Sequence, residues 1–412
     1  MQQQQRRDST EKGSAPGGQR ELEEQVLRAG LCTGCGACVN ICPYQAIHHD
    51  RTVTLHACDL AQGRCYACCP RTPADLDDLL RKLYEETDCT PELGAVKGFF
   101  ITRAADEGVR RRAQHGGTVT TLVTLALREG LIDAAVLAGE GEGLLPRSVT
   151  ITDAEVAAKM GKSRFVVSPT VAEFNRICRG DAAKIGVVAT PCQAVALAKM
   201  RTQPVSEVEN GIEKLHLVVG LFCGWALSWQ KLAALLKAKT DLSQVTGMDI
   251  PPSRYHTLEV YTRGEAIRVS LDEVNPCVRE ACRSCGDMTA EFSDLSVGSA
   301  RLPEGWEAAR FWNQVIVRTQ RGMDLLELAR RRGVLEFREP PAENLEKLKA
   351  ASLGKKKAAV SWSYAQLDSG ERTGRAGQAL GRIGGGNIPL SLAGAGNTRM
   401  VFALRKRSDK DK

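Results

Sequence analysis

Cys32, Cys35, Cys38 and Cys42 stand in the run Cys32-x2-Cys35-x2-Cys38-x3-Cys42-Pro43. Three thiols on one tight turn suit three corners of a cubane iron-sulfur cluster, and the Cys-Pro pair directs the fourth thiol elsewhere. The chemistry implied is single-electron transfer. Cys58 follows, then Cys65-Tyr66-Ala67-Cys68-Cys69-Pro70, and the second Cys-Pro matches the two-cluster ferredoxin plan, in which each run lends its last cysteine to the other cluster. On that plan Cys32, Cys35, Cys38 and Cys69 hold one cluster. Cys42, Cys58 and Cys65 serve the other, but Gln62 occupies the position where a further ligand is expected. Cys68 is the substitute, unless its adjacency to Cys69 turns it away and leaves three thiolates with an open iron. Zinc is the alternative metal, since Cys-x2-Cys pairs suit tetrahedral sites. Four cysteines within eleven residues, ending in Cys-Pro, fit zinc poorly.

A second set is dispersed. Cys192 follows an apolar run in Ala189-Thr190-Pro191-Cys192-Gln193, and Cys223 follows another in Gly220-Leu221-Phe222-Cys223-Gly224. If both runs are parallel strands of one sheet, both thiols lie at its carboxyl edge, where open α/β sheets bind ligands. Cys282-x2-Cys285 supplies two more thiols, with Cys277 in reserve, for a four-thiolate metal site. Free cysteine often only fills space, and Cys89 and Cys178 are read that way.

His115-Gly116-Gly117-Thr118 precedes an amphipathic helix whose first-turn amides and dipole could receive a phosphate or ribityl chain. Lys162-Ser163-Arg164 could add positive charge to a diphosphate, and His115 is a candidate proton donor. The competing readings are ordinary: a glycine turn, a solvated basic face and a hydrogen-bonding histidine.

The elements that must position these residues divide the chain into four stretches. Residues 1–20 lack an apolar segment and read as a disordered tail; 21–93 form a small cysteine-rich module, with a short helix over 21–30, that needs its metal to fold. Residues 94–345 alternate apolar runs with helical periods, as α/β domains do. The runs Lys184–Ala189 and Leu215–Phe222 have the continuous apolar character of strands buried on both faces. The stretch 346–412 is basic and glycine-rich, and Gly384–Gly386 and Gly394–Gly396 read as loop. At 412 residues and 43% hydrophobic there is room for one large core or two moderate ones beside a metal-held module. The excess of 56 Lys and Arg over 49 Asp and Glu is mild and scattered, so it argues for an acidic protein partner such as a ferredoxin rather than for nucleic acid. The run Leu215–Trp229 is too short and too interrupted for a membrane span. With no export signal, cysteines arranged for metal imply a reducing cytoplasm.

Several short motifs in one order resemble the beta subunits of coenzyme F420-reducing hydrogenase and F420-linked formate dehydrogenase, a family that includes ferredoxin-dependent hydroxymethyl chlorophyll reductase. They are Gln114–Thr120, Gly130–Asp133, Gly161–Phe165, Thr190–Gln193, Gly220–Cys223, and Cys282-x2-Cys285-Gly286-Asp287 leading to Ser293–Gly298. The resemblance spans Gly94 to Gly298, with the cysteine-rich module as an extension seen in some members. It implies an α/β core with a mixed or mostly parallel sheet, preceded by a ferredoxin-like module. FAD would lie near Gly116, Gly117, Thr118, Lys162, Ser163, Arg164 and Thr190, and Cys192, Cys223, Cys282 and Cys285 would hold a 4Fe-4S cluster beside it. Arg164-Phe165 replaces a Lys-Tyr type pair common in the family, which leaves the substrate open.

The expected protein is therefore an iron-sulfur flavoprotein oxidoreductase with two or three 4Fe-4S clusters and FAD. It would exchange a hydride with a small two-electron acceptor, coenzyme F420 being the first candidate. Its partner would be a ferredoxin or a redox subunit, in a hetero-complex or a homo-oligomer. The alternatives are a non-catalytic electron-transfer subunit of a hydrogenase, formate dehydrogenase or heterodisulfide-reductase-like complex, and a zinc-stabilised interaction protein.

Overall fold

The computed structural model describes residues 17–202, 211–251 and 256–368. The cysteine-rich module opens on the helical turn Gln19–Leu22, which continues as a π-helical turn over Glu23–Leu27. A hairpin follows, β1 (Gln45–His48) with β2 (Arg51–Thr54). The module's own core is small: Leu22, Val26, Leu31, Val39 and Tyr66 pack with Cys38, Cys65 and Cys69. So little apolar surface supports the expectation that a metal centre supplies much of the module's stability. Residues 1–16 of the expected tail lie outside the described residues, whereas Gln19 is buried and belongs to the module.

A helix over Leu76–Leu83, capped by the Asp75 carboxylate accepting from the Asp78 N–H at 2.9 Å, sends Leu79 into the main core. After a two-residue ladder, β3 (Cys89–Thr90) with β4 (Gly94–Ala95), the chain enters the main sheet. It contributes β5 (Gly98–Ala104), β6 (Ala134–Gly139), β7 (Arg147–Ile151), β8 (Ile185–Ala189) and β9 (Leu215–Leu221). It then builds a separate antiparallel sheet from β10 (Val245–Asp249), β11 (Thr257–Thr262) and β12 (Ala266–Ser270). The main sheet is completed by β13 (Leu295–Ser299), β14 (Asn313–Val317) and β15 (Leu335–Arg338).

The eight-stranded sheet runs β15-β5-β14-β13-β9-β8-β6-β7. Its four central strands β6, β8, β9 and β13 are parallel, and the flanking pairs are antiparallel. The central sequences, such as Ile185-Gly186-Val187-Val188-Ala189, are buried almost throughout because helices cover both faces. The flanking helices include α1 (Thr118–Arg128), α2 (Pro191–Thr202), α3 (Gln320–Arg331) and α4 (Asn344–Asp368).

Two departures from the sequence reading stand out. The sheet β10–β12 forms no part of that reading, although β11 and β12 alternate apolar and polar residues on either side of Arg263-Gly264-Glu265. Helix α4 occupies the start of the stretch read only as basic and glycine-rich, and it buries Leu348, Ser352, Ala359 and Ser363. The glycine runs at 384–386 and 394–396 lie outside the described residues. Among the described residues no helix is long and apolar enough to cross a membrane.

Candidate functional site: three cysteine groups and a cavity

In the module, Cys32, Cys35, Cys38 and Cys69 come together. Burial raises the Cys38 thiol well above its ordinary range, and the neighbouring Cys32, Cys35 and Cys69 raise it further. Burial also raises Cys69, with Cys32 adding to the effect. Backbone donors point at these sulfurs: Gly34 N–H and Thr52 N–H reach Cys32 Sγ at 3.4 and 3.5 Å, and Arg71 N–H reaches Cys69 Sγ at 3.4 Å. Such donors stabilise thiolates bound to metal and tune a cluster's potential.

Cys42, Cys58 and Cys65 form the second group. The Cys65 thiol is pushed to about 11 by burial and then by Cys42, Cys58 and Cys69, and Tyr44 N–H reaches Cys42 Sγ at 3.4 Å. Cys68 stands differently. Its Sγ donates to the Arg64 carbonyl at 2.5 Å and also faces the Ala37 carbonyl, and it packs in the main core near Ile41 and Leu79.

The third group unites Cys192, Cys223, Cys282 and Cys285. Ala189 pairs with Gly220 across the parallel strands β8 and β9, so both chains leave the sheet at the same carboxyl edge. Cys192 sits in the first turn of α2, and Cys223 lies just beyond β9. Burial pushes Cys192 to about 11, with Cys285 and Cys282 contributing; Cys223 is raised by burial, with Cys282, Cys192 and Cys285 adding. Ala226 N–H reaches Cys282 Sγ at 3.3 Å. Cys277 stays out of the group, buried with Leu227, Val274 and Val278. Cys178 fills core space, as expected, while Cys89 lies on the cavity wall described below.

The raised thiols Cys38, Cys65, Cys69, Cys192, Cys223 and Cys282 carry a penalty on ionisation that a bound cationic centre would relieve. Among the described residues no three His, Cys, Asp or Glu side chains are gathered closely enough to hold a single metal ion. A polynuclear cluster, whose ligands sit on separate irons, requires a wider arrangement.

The first and third groups adjoin. The largest charge effect of any neighbour on Cys35 comes from Cys192, and Thr33 lies beside both thiols. The docking contacts are polar and buried. Arg71, directly after Cys69-Pro70, donates from Nη2 to Ser284 Oγ at 2.5 Å inside the Cys282-x2-Cys285 loop. Arg279 pairs with Asp50 in the turn between β1 and β2 and donates to the Cys32 carbonyl at 2.7 Å. Asn175 donates to the Ala37 and Val39 carbonyls at 3.0 and 2.8 Å, and Lys199 Nζ donates to the Cys69 carbonyl at 2.7 Å. Burial lowers the Lys199 ammonium to about 8 against the pull of Cys69 and Cys68.

A cavity of about 1130 Å³ opens at the carboxyl edge of the sheet. Its wall includes His115, Gly117, Thr118, Lys162, Ser163, Arg164 and Thr190, together with all four thiols of the third group. Gly117 has φ +79° and caps α1, whose first amides face no intrahelical acceptor. Gly116 does not line the cavity. It is glycine for packing, because a Cβ there would stand 2.7 Å from Asn313 Oδ1. That same Oδ1 accepts from Thr118 N–H at 3.2 Å. His115 Nδ1 and Arg164 Nε belong to wall residues and are buried with no hydrogen-bond partner. Unsatisfied groups of this kind suit a polar ligand bearing phosphates and ring heteroatoms. Burial lowers the His115 pKa although Asp249 opposes it, so the imidazole is neutral near pH 7. Asp249, raised by its own burial, accepts from Gln114 Nε2 at 2.5 Å.

Sequence reasoning missed Asp50, Arg71, Lys199, Asp249, Arg279 and Asn313. Of these only Arg71 carries a local signal, its place directly after a Cys-Pro pair. The rest act across gaps that only the fold closes.

Comparison with known proteins agrees with this geometry. Residues 99–173 match the model for the N-terminal part of the coenzyme F420 hydrogenase/dehydrogenase beta subunit, and residues 182–343 match the model for its C terminus. Residues 26–48 match a 4Fe-4S binding domain and contain Cys32, Cys35, Cys38 and Cys42. The coenzyme F420 hydrogenase beta subunit of Methanothermobacter thermautotrophicus is 32% identical over 268 residues, which is 63% of this chain and 92% of that protein. The coenzyme F420 hydrogenase beta subunit of Methanosarcina barkeri is 28% identical over 280 residues, covering 66% of this chain and 93% of that protein. A solved chain of the F420-reducing [NiFe] hydrogenase complex from Methanosarcina barkeri superposes with a TM-score of 0.58 at 28% identity, over 66% of this chain and 93% of that one. The chain belongs to the coenzyme F420 hydrogenase/dehydrogenase beta subunit family, with a 4Fe-4S ferredoxin-like module ahead of its mixed α/β core.

Proposed function

We propose that this chain is an iron-sulfur flavoprotein oxidoreductase that exchanges single electrons with a redox partner and a hydride with a small two-electron acceptor, coenzyme F420 being the first candidate. The observation that carries this reading is the juxtaposition of Cys35 with Cys192 at the cavity that Cys192 itself lines. It supports a continuous path from the N-terminal module to a buried redox site.

Cys32, Cys35, Cys38 and Cys69 are assigned to one 4Fe-4S cluster. Cys42, Cys58 and Cys65, with Cys68 as the sequence-expected fourth ligand, are assigned to a second, and Cys192, Cys223, Cys282 and Cys285 to a third. FAD is assigned to the cavity. When bound, the clusters would supply one-electron steps, and FAD would join them to two-electron hydride chemistry.

The protein's own contribution is positioning. Gly117 and the first turn of α1 present backbone N–H groups, Lys162 and Arg164 offer positive charge for a diphosphate, and Ser163 and Thr190 add hydroxyls. His115, neutral and buried, can hold or accept a proton at the cavity wall. Arg71, Arg279 and Lys199 fix the module against the core so that spacing does not fluctuate. On this assignment residues 21–93 carry the two N-terminal clusters, 94–345 the flavin and core cluster, and 346–412 a C-terminal segment whose helix packs back on the core.

A second reading, a subunit whose centres only connect a larger complex, draws support from the solved relative, which is part of a hydrogenase complex. The test separates them. The chain, purified without oxygen and reconstituted with FAD, is mixed with a reduced ferredoxin and coenzyme F420, and the loss of F420 absorbance is followed. Turnover by the isolated chain supports the oxidoreductase. A chain loaded with iron and flavin that reduces no two-electron acceptor contradicts it and favours the connecting subunit, while zinc in place of iron contradicts both.

A further inference from the structure

Helix α4 begins where the matched family core ends at residue 343, yet it delivers a lysine to the third cysteine group. Lys355 Nζ donates to the carbonyl of Cys223 at 2.7 Å and to the carbonyl of Asp287 at 2.8 Å. It thereby ties the loop after β9 to the loop that follows Cys282-x2-Cys285. The nearby charges are Cys285, Cys223, Cys282 and Asp287. The Asp287 carboxylate is already engaged, accepting from Thr289 N–H at 2.9 Å and Glu291 N–H at 3.0 Å. The adjacent Lys356 is engaged elsewhere, its Nζ 2.6 Å from Glu291 Oε1. Lys355 lines the cavity and has no carboxylate within ion-pair distance among the described residues.

Lys355 is half-buried, and an ammonium partly withdrawn from water still gains from opposite charge that faces it. Two carbonyl acceptors satisfy part of its hydrogen bonding but do not neutralise it. The counter-charge available is the thiolate set.

We propose that Lys355 is a positioning residue that supplies the fixed positive charge beside the core cluster and raises its reduction potential. The inference rests on the assignment of a 4Fe-4S cluster to Cys192, Cys223, Cys282 and Cys285. Adding an electron makes the thiolate-bound cluster more negative, and a nearby cation in a low-dielectric setting stabilises that more negative state. The core cluster is thereby made a better electron acceptor than the same ligands would make it alone. The helix is held independently of Lys355: Ser352 Oγ donates to the Glu92 carbonyl at 2.6 Å, Lys356 holds Glu291, and Leu348 is buried.

The test is an EPR-monitored redox titration, with iron counts, of the full chain and of Lys355→Met, Lys355→Gln and Lys355→Arg. The core-cluster signal is identified by its loss in Cys282→Ala. Lys355→Met and Lys355→Gln are expected to lower the core midpoint so that the reduced-to-oxidised ratio at the original midpoint falls roughly tenfold, about 59 mV for one electron. The N-terminal signals should not move, and Lys355→Arg should stay near the parent. Lys355→Gln keeps an amide donor, so it carries the test if Lys355→Met fails to retain the cluster. An unmoved core midpoint in a fully loaded Met or Gln variant overturns the role of Lys355 alone. A parent chain with N-terminal iron but no core signal overturns the core-cluster assignment and this inference with it.

Discussion

Arg71 Nη2 lies 2.5 Å from Ser284 Oγ, joining the residue after the second Cys-Pro to the interior of the Cys282-x2-Cys285 loop. Both side chains are buried, so this is an internal brace between the first and third cysteine groups rather than a surface contact. Ser284→Ala deprives a buried guanidinium of one acceptor and should cost ~1.5–3 kcal/mol. The expected result is a lower apparent melting temperature under anaerobic conditions and slower reduction of the core centre from the N-terminal side, with cluster content unchanged. An unchanged melting curve and unchanged reduction kinetics would remove the brace from the account.

Arg279 and Asp50 form a second brace, nine-tenths buried on both sides. Removing one partner strands the other charge, so Arg279→Met should cost ~3–5 kcal/mol. Asp50→Asn combined with Arg279→Met removes both charges and should recover part of the loss. Chemical denaturation of the two single variants and the double variant checks this, and simple additivity would contradict direct coupling.

Glu291 gives a pH dependence with a defined sign. Burial pushes its carboxyl up to about 7, and repulsion from Asp287 adds to this while Lys356 opposes it. Above the ordinary carboxyl range the folded chain keeps a proton that the unfolded chain has released. The stability from this group is therefore fully present below about 4.5 and is lost as pH rises through about 7. The loss should be on the order of 3 kcal/mol. Glu291→Gln should flatten the fall of apparent melting temperature between these values; an identical pH profile in the variant would refute the assignment.

The two sides of the proposed flavin site should respond differently to substitution. Gly116→Ala places a methyl against Asn313 Oδ1 and the Phe311 carbonyl, costing ~1–3 kcal/mol in stability through packing. Lys162 is exposed, and Lys162→Ala should leave stability within ~0.5 kcal/mol. It should nonetheless weaken FAD retention by roughly tenfold or more, as loss of a charge-assisted contact does. Flavin-fluorescence titration beside thermal melts separates the two effects, and equal FAD affinity in parent and Lys162→Ala would take Lys162 out of the site.

Much of this architecture is legible in the sequence, for a local reason. The Cys-x2-Cys runs fix ligands within a single turn, and apolar runs such as Ile185–Ala189 announce strands buried on both faces. The order of Cys192 and Cys223 after two such runs is enough to place them at one edge. The contacts that join the parts are not legible, because Asp50 and Arg279 are 229 residues apart and neither has a local pattern. Gly116-Gly117 illustrates a mixed case: the motif points both glycines at a ligand, yet Gly116 answers to Asn313 across the fold and only Gly117 borders the cavity. Helix α4 lies in a stretch legible only as basic, because the roles of Lys355 and Lys356 depend on partners far away in the chain, the Cys223 carbonyl and Glu291.

The central claim is most directly tested by counting iron, acid-labile sulfide, zinc and flavin in the full chain purified without oxygen. The account predicts about twelve irons with matching sulfide for three 4Fe-4S clusters, and one FAD per chain. A chain that carries zinc without iron or flavin would contradict it.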